Sequence, residues 1–159
     1  MEQIKETPSL SFSESINKAA SNIWDFKGRS RRSEYWWTMT MVYVASIFLT
    51  PLAGFVLSLL TIPLTFRRLH DTGRSGWWWG CCIILQGFVI VMLVYDIVMA
   101  YLNADNMSGY EDVFFWHLIL KYAVLFIIIA IYKIILLIFY CMDSEPYENT
   151  YGESPKYVN

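Results

Sequence analysis

Charge and cysteine are both scarce in this chain of 159 residues. Charged side chains make up 16% of it and hydrophobic ones 56%, and the net charge at pH 7 is only -2. This balance excludes the broad basic face that binding to nucleic acid requires. The three cysteines lack the spacing of a disulfide framework or a zinc site, and we interpret them as reduced packing residues. We therefore predict no metal and no cofactor.

Long apolar runs account for most of the chain. Residues 36–66 contain no charge, residues 75–101 contain only Asp96, and residues 113–142 contain two lysines, Lys121 and Lys133. Each run exceeds the roughly 20 residues that cross a bilayer. The first 35 residues are polar and contain no removable signal peptide. The pattern predicts an all-α integral membrane protein.

The first apolar run is long enough for one tilted helix or two short ones. Thr50 as an N-cap and Pro51 at the first helical position favour a break there, which gives a short hairpin. Basic residues cluster before Tyr35 and at 67–74, whereas residues 102–112 carry only acids. Because basic loops stay in the cytoplasm, we expect four membrane helices with both termini cytoplasmic. The sequence leaves open whether residues 36–66 cross twice, cross once or re-enter.

Both ends of the chain are polar. Ser11 and Glu14 form a predicted capping box, and apolar residues then recur at helical spacing. This amphipathic helix is expected to lie on the leaflet or to pack on the protein's own loops. The tail is rich in turn residues and is expected to be irregular. The predicted organisation is an N-terminal segment at 1–25, a membrane helical domain at 26–142 and a cytoplasmic tail at 143–159.

Two basic motifs flank the hairpin, "FKGRSRRSEYWW" at 26–37 and "FRRLHDTGRSGWWWG" at 66–80. Their candidate binding or structural residues are Arg29, Arg32, Glu34, Arg67, Arg68, His70, Asp71, Arg74 and Ser75. If the hairpin forms, the motifs meet, and Glu34 or Asp71 can pair with an arginine of the other motif. The alternative is a joint pocket for an anion such as a lipid phosphate.

The second motif also carries the signals of a helix end and a helix start. Gly73 is expected to end the second membrane helix in a left-handed cap, and Ser75 to cap the third helix. The three arginines are expected to converge on the start of that third helix. Catalysis is the weakest interpretation, because the neighbours His70 and Asp71 point apart and no nucleophile accompanies them.

Polar residues within the later spans offer a second functional interpretation. Asp96 and Lys121 can form an ion pair, and His117 lies one turn from Lys121. Lys133 has no evident acidic partner and is expected to reach water on the inner side. The alternative use of Asp96, His117 and Lys121 is in a small transporter or channel.

Three motifs resemble the bacterial inner-membrane family called domain of unknown function 805. They are Phe26, Gly28, Arg29, Arg32, Glu34, Tyr35 and Trp36; then residues 67–77, "RRLHDTGRSGW"; and finally Asn149, Tyr151, Gly152 and Pro155. The resemblance implies a multi-helix inner-membrane protein and no particular activity. It also makes the third motif a candidate contact, with the tail folding back so that Glu148 or Glu153 reaches a guanidinium.

The functional expectation is a non-enzymatic protein of the inner membrane. Its arginine-rich cytoplasmic face would bind anionic lipid headgroups or a protein partner. That partner could be a second copy of the chain or another membrane protein.

Overall fold

The computed structural model describes residues 5–103 and 111–158, with the backbone alone at 111 and 112. Its helices are α1 (Phe12–Ser21), α2 (Arg32–Phe48), α3 (Pro51–Leu60), α4 (Ile62–Asp71), α5 (Trp77–Leu102) and α6 (Glu111–Cys141). Two short strands, β1 (Lys5–Glu6) and β2 (Tyr157–Val158), complete the fold. The all-α prediction is confirmed. The acidic loop predicted at 102–112 lies largely outside the described residues.

The helix starts follow local sequence signals. Ser11 accepts a hydrogen bond from the Glu14 backbone N–H while the Glu14 carboxylate accepts one from Ser11, which is the predicted capping box. Thr50 caps α3 by accepting from the Ala53 N–H, and Pro51 occupies the first helical position. The predicted break near residue 50 is therefore confirmed.

The amphipathic helix α1 packs on the protein itself. Its Ser15 and Ala19 are buried, and the helix contacts α2 along its length. Phe12 meets Trp37 of α2 edge to face, with ring centroids 5.7 Å apart. The sequence left open the leaflet and the protein's own loops, and the contact observed within the protein is with helix α2.

Helices α2 and α3 form the arms of a tight hairpin. A Cβ atom placed on Gly54 would lie 3.3 Å from the Cβ of Ser46, so the small residue allows the two backbones to approach closely. Three helical segments in the described chain are long and apolar enough to cross a membrane: Pro51–Asp71, Trp77–Leu102 and Val113–Cys141. At 17 residues, α2 is shorter than any of them.

The chain divides into two compact units, one of residues 1–79 with 138–159 and the other of residues 80–137. The first unit contains α1, the hairpin, α4 and the tail. The predicted N-terminal and tail segments therefore both belong to it.

The tail is more ordered than its turn-rich composition predicted. β2 pairs antiparallel with β1, so that Tyr157 lies opposite Glu6 and Val158 opposite Lys5. Thr7 extends this pairing, because its N–H and its hydroxyl both donate to the Lys156 carbonyl, each at 2.9 Å. The expectation of an irregular tail was wrong for its last residues, which form a strand by pairing with the other end of the chain.

Candidate functional site

The end of α4 supplies most of the second basic motif. Gly73 adopts a left-handed φ of 69°, its N–H donates to the His70 carbonyl, and the Arg74 N–H donates to the Leu69 carbonyl. These two bonds are the Schellman arrangement that ends a helix at a glycine, as the sequence predicted. This helix end fixes the orientation of the last side chains of α4, which include Arg68, His70 and Asp71.

Asp71 is the centre of a buried ionic cluster. Its carboxylate accepts from Arg29 Nε at 3.1 Å and from Arg68 at 2.6 Å, and the Ser144 hydroxyl donates to it as well. The Arg68 and Asp71 side chains have no exposed surface, and the Arg29 side chain is 1% exposed. We call Arg29, Arg68, Asp71 and Ser144 the clasp, since they join the segment before α2, the end of α4 and the tail.

The two guanidinium groups of the clasp are occupied by the protein's own acceptors. Arg29 makes its other bonds to carbonyls of Tyr147 (2.8 Å), Gly152 (3.1 Å), Glu145 (2.6 Å) and Asp71 (3.4 Å). Arg68 donates to carbonyls of Tyr140, Met142 and Ser30. A buried cation is tolerated only when it is paired and its donors are satisfied, and both conditions hold here.

A second ionic group lies beside the clasp and is much looser. Arg67 and Glu34 approach to 3.5 Å, and Lys18 of α1 lies 3.5 Å from the other Glu34 oxygen. Both Glu34 oxygens, and Nε and one terminal nitrogen of Arg67, are buried without a hydrogen-bond partner. The predicted pairing between motifs is confirmed by Arg29 with Asp71 and by Arg67 with Glu34.

His70 and Asp71, neighbours in sequence, have separate partners. The His70 ring stacks on Tyr151, with centroids 3.8 Å apart and planes 3° apart, and its Nδ1 lies 3.1 Å from the Gly28 carbonyl. Asn149 donates to the His70 carbonyl at 3.0 Å. These contacts attach His70 to the tail, and they do not orient His70 and Asp71 as an acid–base pair.

The tail motif therefore lies against both basic motifs. Asn149 and Tyr151 contact His70, and Gly152 contacts Arg29 through its carbonyl, whereas Pro155 is half-buried further along the tail. The expected contact of Glu148 or Glu153 with a guanidinium was wrong, because both acids are exposed and the tail offers backbone carbonyls instead.

The remaining motif residues lie outside the clasp. Arg32 is exposed and donates to the Cys141 carbonyl at 3.3 Å. Arg74 donates to the Thr72 carbonyl and covers the Phe139 ring at 4.0 Å, and the Ser75 hydroxyl accepts from the Trp77 N–H at the start of α5. The expected convergence of three arginines on that helix start was wrong, because Arg67 and Arg68 turn to internal carboxylates.

In the second unit, the predicted ion pair between spans is confirmed. Lys121 Nζ lies 2.6 Å from the Asp96 carboxylate, and the Tyr122 hydroxyl donates to the same oxygen at 2.6 Å. His117 lines a cleft with both members of the pair. Asp96 is thus neutralised locally, and the predicted use of this group in transport has no further support in the described residues.

The apolar helices of membrane-spanning length and the buried clasp define a small helical membrane protein whose tail packs against its basic motifs. The chain belongs to the family described as Protein of unknown function (DUF805), whose model matches residues 44–153. It is 26% identical to the inner membrane protein YhaH of Escherichia coli, over 87% of this chain and 93% of the relative. Inner membrane protein YhaI of the same organism is also 26% identical, over 86% of this chain and 90% of the relative. No solved structure matches the chain.

Proposed function

We propose that this protein is a non-enzymatic, multi-pass protein of the inner membrane that binds anionic lipid headgroups at the cytoplasmic surface. The headgroup contacts are made by Trp24, Lys27 and Arg32, which we call the rim. The arginines of the clasp hold the protein together and do not themselves meet lipid.

The proposed topology rests on the clasp. Arg29 precedes the first arm of the hairpin, Asp71 ends α4, which follows the second arm, and Ser144 follows α6, yet all three meet. A chain that leaves and returns to one point has crossed twice or re-entered, which keeps both basic motifs on one side. Basic segments favour the cytoplasm, so we place both termini there.

The single observation that carries the lipid proposal is the exposure of the rim. Trp24 is 78% exposed, and Lys27 and Arg32 are exposed while the clasp arginines are buried. Within the described part of the chain, Arg32 donates one hydrogen bond, to the Cys141 carbonyl, and a guanidinium has five donors. Exposed indole rings and cations are typical of the membrane interface.

The test is a lipid titration of the purified protein by native mass spectrometry, with phosphatidylglycerol against phosphatidylcholine. Each interfacial cation contributes about 1 kcal/mol toward an anionic surface, so Lys27→Gln with Arg32→Gln should weaken phosphatidylglycerol binding about thirtyfold. The matched control is Lys5→Gln, which removes an exposed cation from β1 and should leave the affinity within a factor of two of wild type (~0.4 kcal/mol). Equal binding of both lipids by the wild type, or no loss in the double variant, would contradict the proposal.

A further inference from the structure

A cleft separates α1 from the hairpin within the first unit. It is partly open to its surroundings, and its cavity volume is about 100 Å³. The walls are almost wholly apolar, and include Ile16 and Ala20 of α1, Met41 of α2, and Leu57, Leu60 and Leu64 of α3 and α4. From Leu57 to Arg67 the lining helices run for about 15 Å at 1.5 Å per residue. The cleft is therefore elongated.

One end of the cleft is polar. Arg67 and Thr38 line it there, and the Arg67 side chain is 4% exposed. The Arg67 Nε and one terminal nitrogen, together with the Thr38 hydroxyl, are buried without a hydrogen-bond partner. A buried guanidinium with unused donors costs free energy that an acceptor in the cleft would recover.

The charge at this end favours an anion. Lys18 and Arg67 are cations and Glu34 is the one acid with which they pair, each at 3.5 Å. The triad therefore carries a net charge of +1, and its distances exceed those of a good charge-assisted hydrogen bond. An additional oxyanion would meet one uncompensated charge and the Arg67 Nε, beside the terminal nitrogen that Glu34 approaches only to 3.5 Å.

We infer that the cleft binds one acyl chain of an anionic phospholipid whose phosphate meets Arg67. The bilayer supplies this occupant, because the cleft lies beside Pro51–Asp71, a helical segment of membrane-spanning length and composition. The site goes beyond the proposed function, since it shares no residue with the rim and holds one lipid where the rim contacts many.

The experiment measures how many lipids stay bound to the full-length protein in native mass spectrometry at high salt. High salt screens the exposed rim more than a buried pair, so rim binding is suppressed. Phosphatidylglycerol should remain bound at one molecule per chain. Phosphatidylcholine with the same chains should be retained at least about tenfold less well, because its headgroup has no net charge.

Two variants distinguish the contribution of the lipid headgroup from that of its acyl chain. Arg67→Gln removes the guanidinium and should lower the phosphatidylglycerol affinity about ten- to a hundredfold. Ala20→Trp fills the cleft from an exposed position of α1 and should abolish the single bound lipid with Arg67 intact. Asn17→Trp is its control, because Asn17 is exposed on the same helix and does not line the cleft.

The outcomes are distinct. Loss of the lipid in Ala20→Trp but not in Asn17→Trp supports the inference even if Arg67→Gln does not fold. If phosphatidylcholine is retained as well as phosphatidylglycerol, the headgroup in the cleft need not be an anion and that assignment is overturned. If oleate, added as a competitor, displaces phosphatidylglycerol, the bound molecule is a fatty acid and the assignment of a phospholipid is overturned. If rim-dependent binding at low salt persists while the single lipid is never seen, this inference fails and the proposed function stands.

Discussion

Asp71→Asn tests whether the clasp holds the first unit together. The asparagine keeps the shape of the side chain but leaves Arg29 and Arg68 buried without their shared anion. Removing one partner of a buried ion pair costs about 3–5 kcal/mol, and here one acid serves two cations. We expect a loss of about 4–5 kcal/mol, a large share of the 5–15 kcal/mol that typically holds a domain together.

The assay is reversible unfolding by SDS in mixed micelles, which yields the free energy of unfolding for each variant. The control is Asp143→Asn, an acid of the same type whose side chain is 48% exposed and lies 2.6 Å from Lys156. An exposed pair of this kind contributes about 0–1 kcal/mol. If Asp71→Asn costs no more than Asp143→Asn, the clasp does not stabilise the fold and the reasoning is refuted.

Two further experiments test the helix end and the tail. Gly73→Ala should cost about 1–2 kcal/mol because of its left-handed φ, and its new Cβ would lie 2.2 Å from Glu145; Gly87→Ala, with open space around it, should be neutral or stabilising in the same unfolding assay. Cysteines introduced at His70 and Tyr151, in a chain without its native cysteines, should crosslink in membranes because the two rings stack at 3.8 Å. Absence of that crosslink would mean that the tail does not fold back.

The features that the sequence predicted well are those decided within one helical turn. The Ser11 capping box, the Thr50–Pro51 start and the left-handed Gly73 each depend on residues at most five positions apart. Such signals survive any tertiary arrangement, because the first and last turns of a helix always leave backbone groups to satisfy. Their positions in the structure match the predicted ones for this reason.

The tail shows what local signals leave out. Its acceptors for Arg29 are backbone carbonyls of Glu145, Tyr147 and Gly152, and every residue type carries a carbonyl. Residue type therefore pointed to the acids Glu148 and Glu153, whereas backbone carbonyls make the contacts. Ser144 was missed because a lone serine beside a helix end has no distinguishing pattern.

The pairing of β1 with β2 was missed for a related reason. Each strand is two residues long, too short for an alternating pattern, and the partners lie at opposite ends of the chain. Their pairing depends on the position of the tail, which the clasp contacts through Ser144. Pairing of this kind depends on the whole first unit.

The clasp also shows why arginines beside a helix end are ambiguous in a membrane sequence. Guanidinium groups there do bind an anion, but the protein supplies it as Asp71, with backbone carbonyls around it. An anion from outside needs donors that remain unused after folding. Among the described residues, Arg67 is the buried arginine of the two motifs that keeps such donors, and the exposed Arg32 keeps them at the surface. In the proposed function, lipid binding by these motifs therefore depends on Arg67, Lys27 and Arg32, while Arg29 and Arg68 maintain the structure that positions them.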